Sequence, residues 1–320
     1  MHLGLSDMFY SKRTRINEKK MKKLIFIISA MLVTAITISA QKNDFPKLTG
    51  PYLGQKPPVN EPVLFAPGIV SNGRNHSSVT ISQDGKEFYW SGEERKIWFT
   101  KLVNGRWTQP EVVSFCKEDS YEYDNPFITP DGKKLFFTSF RPGAVSQEKE
   151  TIWYAERTSS GWSDPKPVSS EVNETPLHWS ISVSNAGTLY FQFQDASGKS
   201  PGGIGDIYYS KLVNGEYTKP VSIGSVINTP ATETCPHIAP DESYIVFTRF
   251  DQTNVKNTGI FISYKDKSGN WLPALMAEGG TKEKGGLSPR ISPDGKYLFY
   301  VNGGMWWMPA TFIEELRPKE

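Results

Sequence analysis

One pattern recurs five times along the chain, and it limits the possible folds more than any other feature. The copies centre on Ser82-Gln-Asp-Gly-Lys86, Thr129-Pro-Asp-Gly-Lys133, Ser184-Asn-Ala-Gly-Thr188, Ala239-Pro-Asp-Glu-Ser243 and Ser292-Pro-Asp-Gly-Lys296. Counted from Asp84, Asp131, Ala186, Asp241 and Asp294, successive copies are 47, 55, 55 and 53 residues apart. A period of that size built from short β-runs means radial or stacked repetition, not a layered single-core domain.

Each copy reads as one sheet. An alternating run ends at the Pro-Asp-Gly-Lys turn, where Pro presets φ and Gly accepts positive φ. An aromatic-rich run follows, such as Leu135-Phe-Phe137 or Tyr297-Leu-Phe-Tyr300, suited to a packed pleat. A third run begins near Ile97, Ile152, Ile207, Ile260 and Met305. After a short turn comes a fourth strand marked by an aromatic and a proline: Trp107 with Pro110, Trp162 with Pro165, Tyr217 with Pro220, Trp271 with Pro273. Proline fits there because that strand is the outer edge. The expected fold is all-β, a propeller of four-stranded antiparallel blades. The repeating Trp98, Trp107, Trp153, Trp162 and Trp271 are expected to pack between blades.

The fifth copy ends without its aromatic-Pro strand, and residues 60–70 look like the missing piece. The count is therefore five blades closed by an N-terminal strand. Six is the rival if residues 60–70 belong to a degenerate extra blade. The resulting division is a leader over 1–40, an extension over 41–59 and a propeller over 60–320.

The Pro-Asp-Gly-Lys turn with its flanking strands resembles the PD40, or WD40-like, repeat of TolB-type β-propellers over about residues 60–320. The match is fullest at 129–137 and 291–300. The third copy departs with Asn185-Ala-Gly187 and the fourth with Asp241-Glu-Ser243. The resemblance implies blade architecture and leaves function open, because such propellers serve as interaction platforms, peptidase lids and glycan-active enzymes.

Lys19-Lys-Met-Lys-Lys23 precedes an apolar run over residues 24–38, which ends in Ser39-Ala40 before Gln41. That order of charge, apolar core and small residues predicts a cleaved signal peptide starting at Met21. The run is short for a membrane span, and no cysteine follows it to carry a lipid. The protein is expected to be secreted or periplasmic, and monomeric. The leader through Ala40 holds 7 Lys/Arg and 2 Asp/Glu, leaving 29 basic against 32 acidic residues. A mature chain with that balance is a poor nucleic-acid binder. Cys116 and Cys235 fall on different blades, and the expectation is that both stay unpaired and buried.

Chemistry is expected where the innermost strands begin, around the central channel. Eight positions before the turn stand His76, Tyr123, His178, Glu233 and Gly286; seven before, Ser77, Asp124, Trp179, Thr234 and Leu287. Six before stand Ser78, Asn125, Ser180, Cys235 and Ser288, and four before stand Thr80, Phe127, Ser182, His237 and Arg290. All three histidines beyond the leader fall in these segments. The candidate ligand-binding set is His76, Tyr123, Asp124, Asn125, His178, Trp179, Glu233, His237 and Arg290.

Three readings compete for this set. His76, His178 and Glu233 share one level and could ligate a divalent metal, an arrangement that resembles oligogalacturonate lyases, propellers with a histidine-bound metal. His237 lies about 13 Å deeper along an extended strand at ~3.3 Å per residue, so it does not readily complete that site. Alternatively, Trp179, Tyr121 and Tyr123 stack on a glycan while the polar members bond its hydroxyls. Or the ring is a wet channel and a protein partner docks elsewhere. A hydrolase would pair Asp124 with Glu233; a lyase would pair His178 with Arg290. Neither pattern is complete, so a glycan- or partner-binding propeller is preferred over a carbohydrate-active enzyme.

Overall fold

The computed structural model describes residues 45–72, 78–92, 95–117, 121–144, 150–174, 180–193, 205–277 and 286–319. They form five antiparallel sheets that close as the blades of a propeller. From the channel outward, blade 1 comprises Val79–Ile81, Glu87–Ser91 and Ile97–Val103. Blade 2 comprises Tyr123–Ile128, Lys134–Ser139 and Thr151–Thr158. Blade 3 comprises Ile181–Val183, Leu189–Phe193 and Asp206–Ser210. Blade 4 comprises Thr232–Ile238, Tyr244–Phe250 and Gly259–Tyr264. Blade 5 comprises Leu287–Ile291, Tyr297–Val301 and Met305–Pro309.

The fourth strand is not continuous. In blade 1 it is Arg106–Trp107 and then Glu111–Val112; in blade 2, Gly161–Trp162 and then Lys166–Pro167. Blades 3 and 4 end in Val221–Ser222 and Leu275–Met276. Pro110, Pro165, Pro220 and Pro273 all fall ahead of the last piece. A proline cannot donate to the ladder, so each one breaks its edge strand. A broken edge is also a poor template for a strand from another chain.

The turns explain the repeat. Asp84 accepts hydrogen bonds from the Ser82 hydroxyl at 2.7 Å and the Lys86 amide at 3.1 Å, with Gly85 at φ +69°. Thr129 with Asp131 and Ser292 with Asp294 repeat the arrangement. In the fourth copy Glu242 takes the glycine position at φ +61°, a conformation that costs roughly 1 kcal/mol for a residue with a Cβ. Its carboxylate compensates by binding Ser184 (2.7 Å), Tyr190 (3.1 Å) and Lys265 (3.0 Å), which ties blade 3 to blade 4.

Five apolar clusters fill the five blade interfaces, the last joining blade 5 to blade 1. Closure comes from the N-terminal segment. Val63–Leu64 supplies the outer strand of blade 5, with Val63 opposite Trp307 and Leu64 opposite Trp306. Residues ahead of 60 join in: Leu53 is buried in the closing cluster, and Trp107 donates to the Gly50 carbonyl at 2.8 Å. Trp162 of blade 2 packs edge-on against Tyr89 of blade 1. Cys116, between blades 1 and 2, and Cys235, at the channel, are both buried and not joined in a disulfide. No helix among the described residues is long and apolar enough to cross a membrane; residues 24–38 lie outside them.

Candidate functional site

The inner strands carry a shared distortion that decides which side chains meet in the channel. In blades 2, 4 and 5 an extra residue enters the inner strand, between Asp124 and Phe127, Thr234 and His237, and Leu287 and Arg290. Asn125, Cys235 and Ser288 sit at the bulge with φ between +51° and +54°, and Ser180 of blade 3 has φ +55°. One extra residue flips every side chain beyond it to the other face of the sheet. Simple alternation would put the level of Tyr123 and Glu233 in the channel. The bulge instead turns the next level inward, with Asp124, Thr234 and Leu287.

A cavity of ≈330 Å³ opens there, on the face where the inner strands begin. Blades 1 and 2 contribute Arg95, Asp124 and Glu150 to its lining, and blades 4 and 5 contribute Thr234, Phe250, Leu287 and Val301. Asn125, Cys235 and Ser288 form part of its lining too. Arg95 Nη2 donates to Asp124 Oδ2 at 3.5 Å and to Glu150 Oε1 at 3.2 Å, while Nη1 binds Glu122. The Asp124 and Glu150 oxygens therefore lie within two hydrogen-bond lengths of each other. Glu150 is only 3 % exposed and also accepts from Thr138 Oγ1 at 2.8 Å. Burial pushes its carboxyl up to about 7, against the Thr138 hydrogen bond; Asp124 and Glu122 add to the rise and Arg95 opposes it.

A pH signature follows. An unfolded glutamate titrates near 4.5, so between about pH 4.5 and 7 the folded chain holds a proton that the unfolded chain has lost. Stability from this site is then present at low pH and is lost as pH rises through 7. Glu150→Gln should remove the slope. Wild type should lose on the order of 3 kcal/mol relative to the variant across that window, read from urea denaturation at stepped pH. Parallel curves would refute the assignment.

Tyr123 and Glu233 do not line the cavity. Tyr123 is fully buried between blades 1 and 2. Glu233 is fully buried and binds Arg249 Nε at 2.7 Å, Thr229 Oγ1 at 2.7 Å and the Thr229 amide at 2.9 Å. A carboxylate engaged in that way is not open to a metal, nor does it oppose Asp124 across a substrate. His76, His178 and Trp179 lie outside the described residues. Among the described residues no three His, Cys, Asp or Glu side chains gather as a metal site.

His237 and Arg290 lie deeper. The guanidinium crosses the channel from blade 5, donating to the Pro236 carbonyl (3.3 Å) of blade 4 and to Ser180 Oγ (3.0 Å) and the Ile181 carbonyl (3.1 Å) of blade 3. It also lies 5.8 Å from the centre of the Phe127 ring of blade 2. Arg290 thus bars the channel, and His237 lines a second cavity on the turn side.

Arg95 and Glu150, absent from the sequence-derived set, were nonetheless marked in the sequence. Each stands two residues before the isoleucine of its third run, Ile97 and Ile152. Opposite charges at one repeat position in neighbouring blades point to an ion pair. Pro126, Pro236 and Pro289, inside inner strands that proline normally avoids, were the signal for the bulge.

No protein-family model matches the chain, and no curated protein does. Solved structures do. TolB from Acinetobacter baumannii shares 15% identity over 73% of this chain and 54% of its own, with a TM-score of 0.44. The chain thus spans about half the length of that structure. A gluconolactonase from Xanthomonas campestris shares 12% over 84% and 95% of the two chains, with a TM-score of 0.46. A GH43 endo-arabinanase from Bacillus licheniformis shares 17% over 74% and 94%, also at 0.46. These proteins differ in activity, and none of their activities transfers to this chain on such a likeness.

Proposed function

We propose that this is an exported, ligand-binding propeller that takes a glycan in the cavity where the inner strands begin. The observation that carries the reading is one lining that combines carboxylates and a guanidinium from blades 1 and 2 with Phe250, Leu287 and Val301 from blades 4 and 5. A sugar has hydroxyls for the first and a C–H face for the second. The volume of ≈330 Å³ falls within the usual range for small-ligand sites, roughly 300–1,000 Å³. In the repeat, Trp179 is the counterpart of Asp124, Thr234 and Leu287, so it belongs in the test.

A glycan array followed by calorimetry supplies that test. Asp124→Asn, Phe250→Ala and Trp179→Ala should each weaken binding about thirtyfold, roughly 2 kcal/mol, with the melting temperature little changed. Absence of binding to any glycan, or binding indifferent to all three changes, would overturn the reading.

A catalytic reading rests on one further observation. Glu150, with its carboxyl near 7, stands beside Asp124, and glycoside hydrolysis uses an acid and a carboxylate set apart in this way. If so, turnover of the bound glycan should disappear in Glu150→Gln while binding survives. A wild type that binds without turnover leaves the binding function alone.

A further inference from the structure

The turn-side cavity, ≈100 Å³, has a lining unlike that of the other mouth. Its polar side chains include Arg290, His237, Thr80 and Gln83, and no carboxylate is among them. Arg290 is 2 % exposed and forms no ion pair among the described residues. Its two Nη atoms bind backbone carbonyls and the Ser180 hydroxyl, but its Nε is buried without a hydrogen-bond partner. His237 Nδ1 is likewise buried and unsatisfied. Carbonyl groups satisfy donors without supplying an opposing charge, and an isolated buried cation is costly.

The turn acids around the rim are occupied. Asp84, Asp131 and Asp294 are held by their own Ser or Thr hydroxyls and lysine amides. Cys235 lines the cavity on the opposite side of the bar, where its Sγ lies 3.3 Å from Ser288 Oγ. Thr80 Oγ1 already accepts from the Ile128 amide at 3.1 Å, which leaves its proton to donate. Burial beside Arg290 pulls the His237 imidazole down to about 3, so at neutral pH the ring is uncharged and carries one N–H.

We propose that this cavity binds a small inorganic anion of halide size, which balances the Arg290 guanidinium and accepts hydrogen bonds from His237 and Thr80. The guanidinium at this level also makes the inner channel unsuitable for a divalent cation. Ring stability is then linked to halide: each tenfold rise in its concentration above the dissociation constant adds the same increment.

The experiment compares melting of the full chain in sodium chloride and in sodium gluconate, whose anion is too large to enter, at matched ionic strength. A melting temperature that climbs with log chloride and stays flat in gluconate is expected, with a bromide anomalous peak between Arg290 and His237 in crystals. His237→Phe and Thr80→Val should flatten the chloride response, and Cys235→Ser should leave it intact. Arg290→Met, if it folds, should abolish it. Equal responses to both salts with no peak in the channel would overturn the proposal. So would a response that survives both His237→Phe and Thr80→Val, or one that appears only after Cys235→Ser.

Discussion

Removing residues 47–70 is expected to open the ring and abolish its cooperative melting transition. The segment supplies the outer strand of blade 5 and also fills the interface between blades 5 and 1. Phe65, fully buried, has its ring centre 5.3 Å from that of Phe88, 5.0 Å from Phe299 and 5.3 Å from Trp307. Tyr52 adds edge and tilted contacts to the same group. Immediately after the segment, which holds it in place, the Ser71 hydroxyl donates to the Met305 carbonyl at 3.0 Å and accepts from the Met305 amide at 2.9 Å. Phe65→Ala alone should cost about 3–5 kcal/mol, because it leaves a cavity where three aromatic rings meet. Val59→Ala, at a residue 73 % exposed, should change nothing measurable and serves as the control. Urea denaturation checks both substitutions. A truncated chain that melts like the parent would show that the ring closes without this segment.

Much of that architecture was legible in the sequence because it repeats. A turn that needs Asp to cap it and Gly to pass through positive φ leaves the same residues at the same spacing in each blade. The missing fourth strand of the last copy, and its likeness near residue 63, carried the closure. Charge and burial were harder to read. Glu233 looks like a channel residue by simple counting, and only the bulge at Cys235-Pro236 places it on the other face. The bulge was marked by Pro126, Pro236 and Pro289, but blades 1 and 3 have no such proline, so counting across all five copies hid it. Arg290 falls at a channel level in the repeat, as expected. That it bars the channel depends on its reach to Ser180 and Ile181, roughly 110 residues away in the chain. No local pattern reports a contact of that range.

The Glu233–Arg249 pair is where breaking one side should differ most from breaking the other. The two residues face each other across the first two strands of blade 4, and both are buried. Arg249 also donates to the Ile227 carbonyl at 3.0 Å and lies 4.3 Å from the Phe261 ring centre. Glu233→Ala strands a guanidinium that cannot shed its proton, a loss of about 3–5 kcal/mol at any pH that proteins tolerate. Arg249→Met leaves a carboxyl with an escape. Burial already pushes Glu233 upward against its hydrogen bonds to Thr229 and Arg249, and without Arg249 the group should take up a proton. Its folded pKa, already above the unfolded value, would rise further, so Arg249→Met should be milder than Glu233→Ala and should regain stability as pH falls. The double variant Glu233→Leu with Arg249→Met removes both charges and should recover much of the loss, since a packed apolar pair often matches a buried ion pair. Denaturation of the three variants at pH 5 and pH 8 decides the matter. Equal, pH-independent losses in the two single variants would mean that the pair is solvated and contributes little to holding blade 4 together.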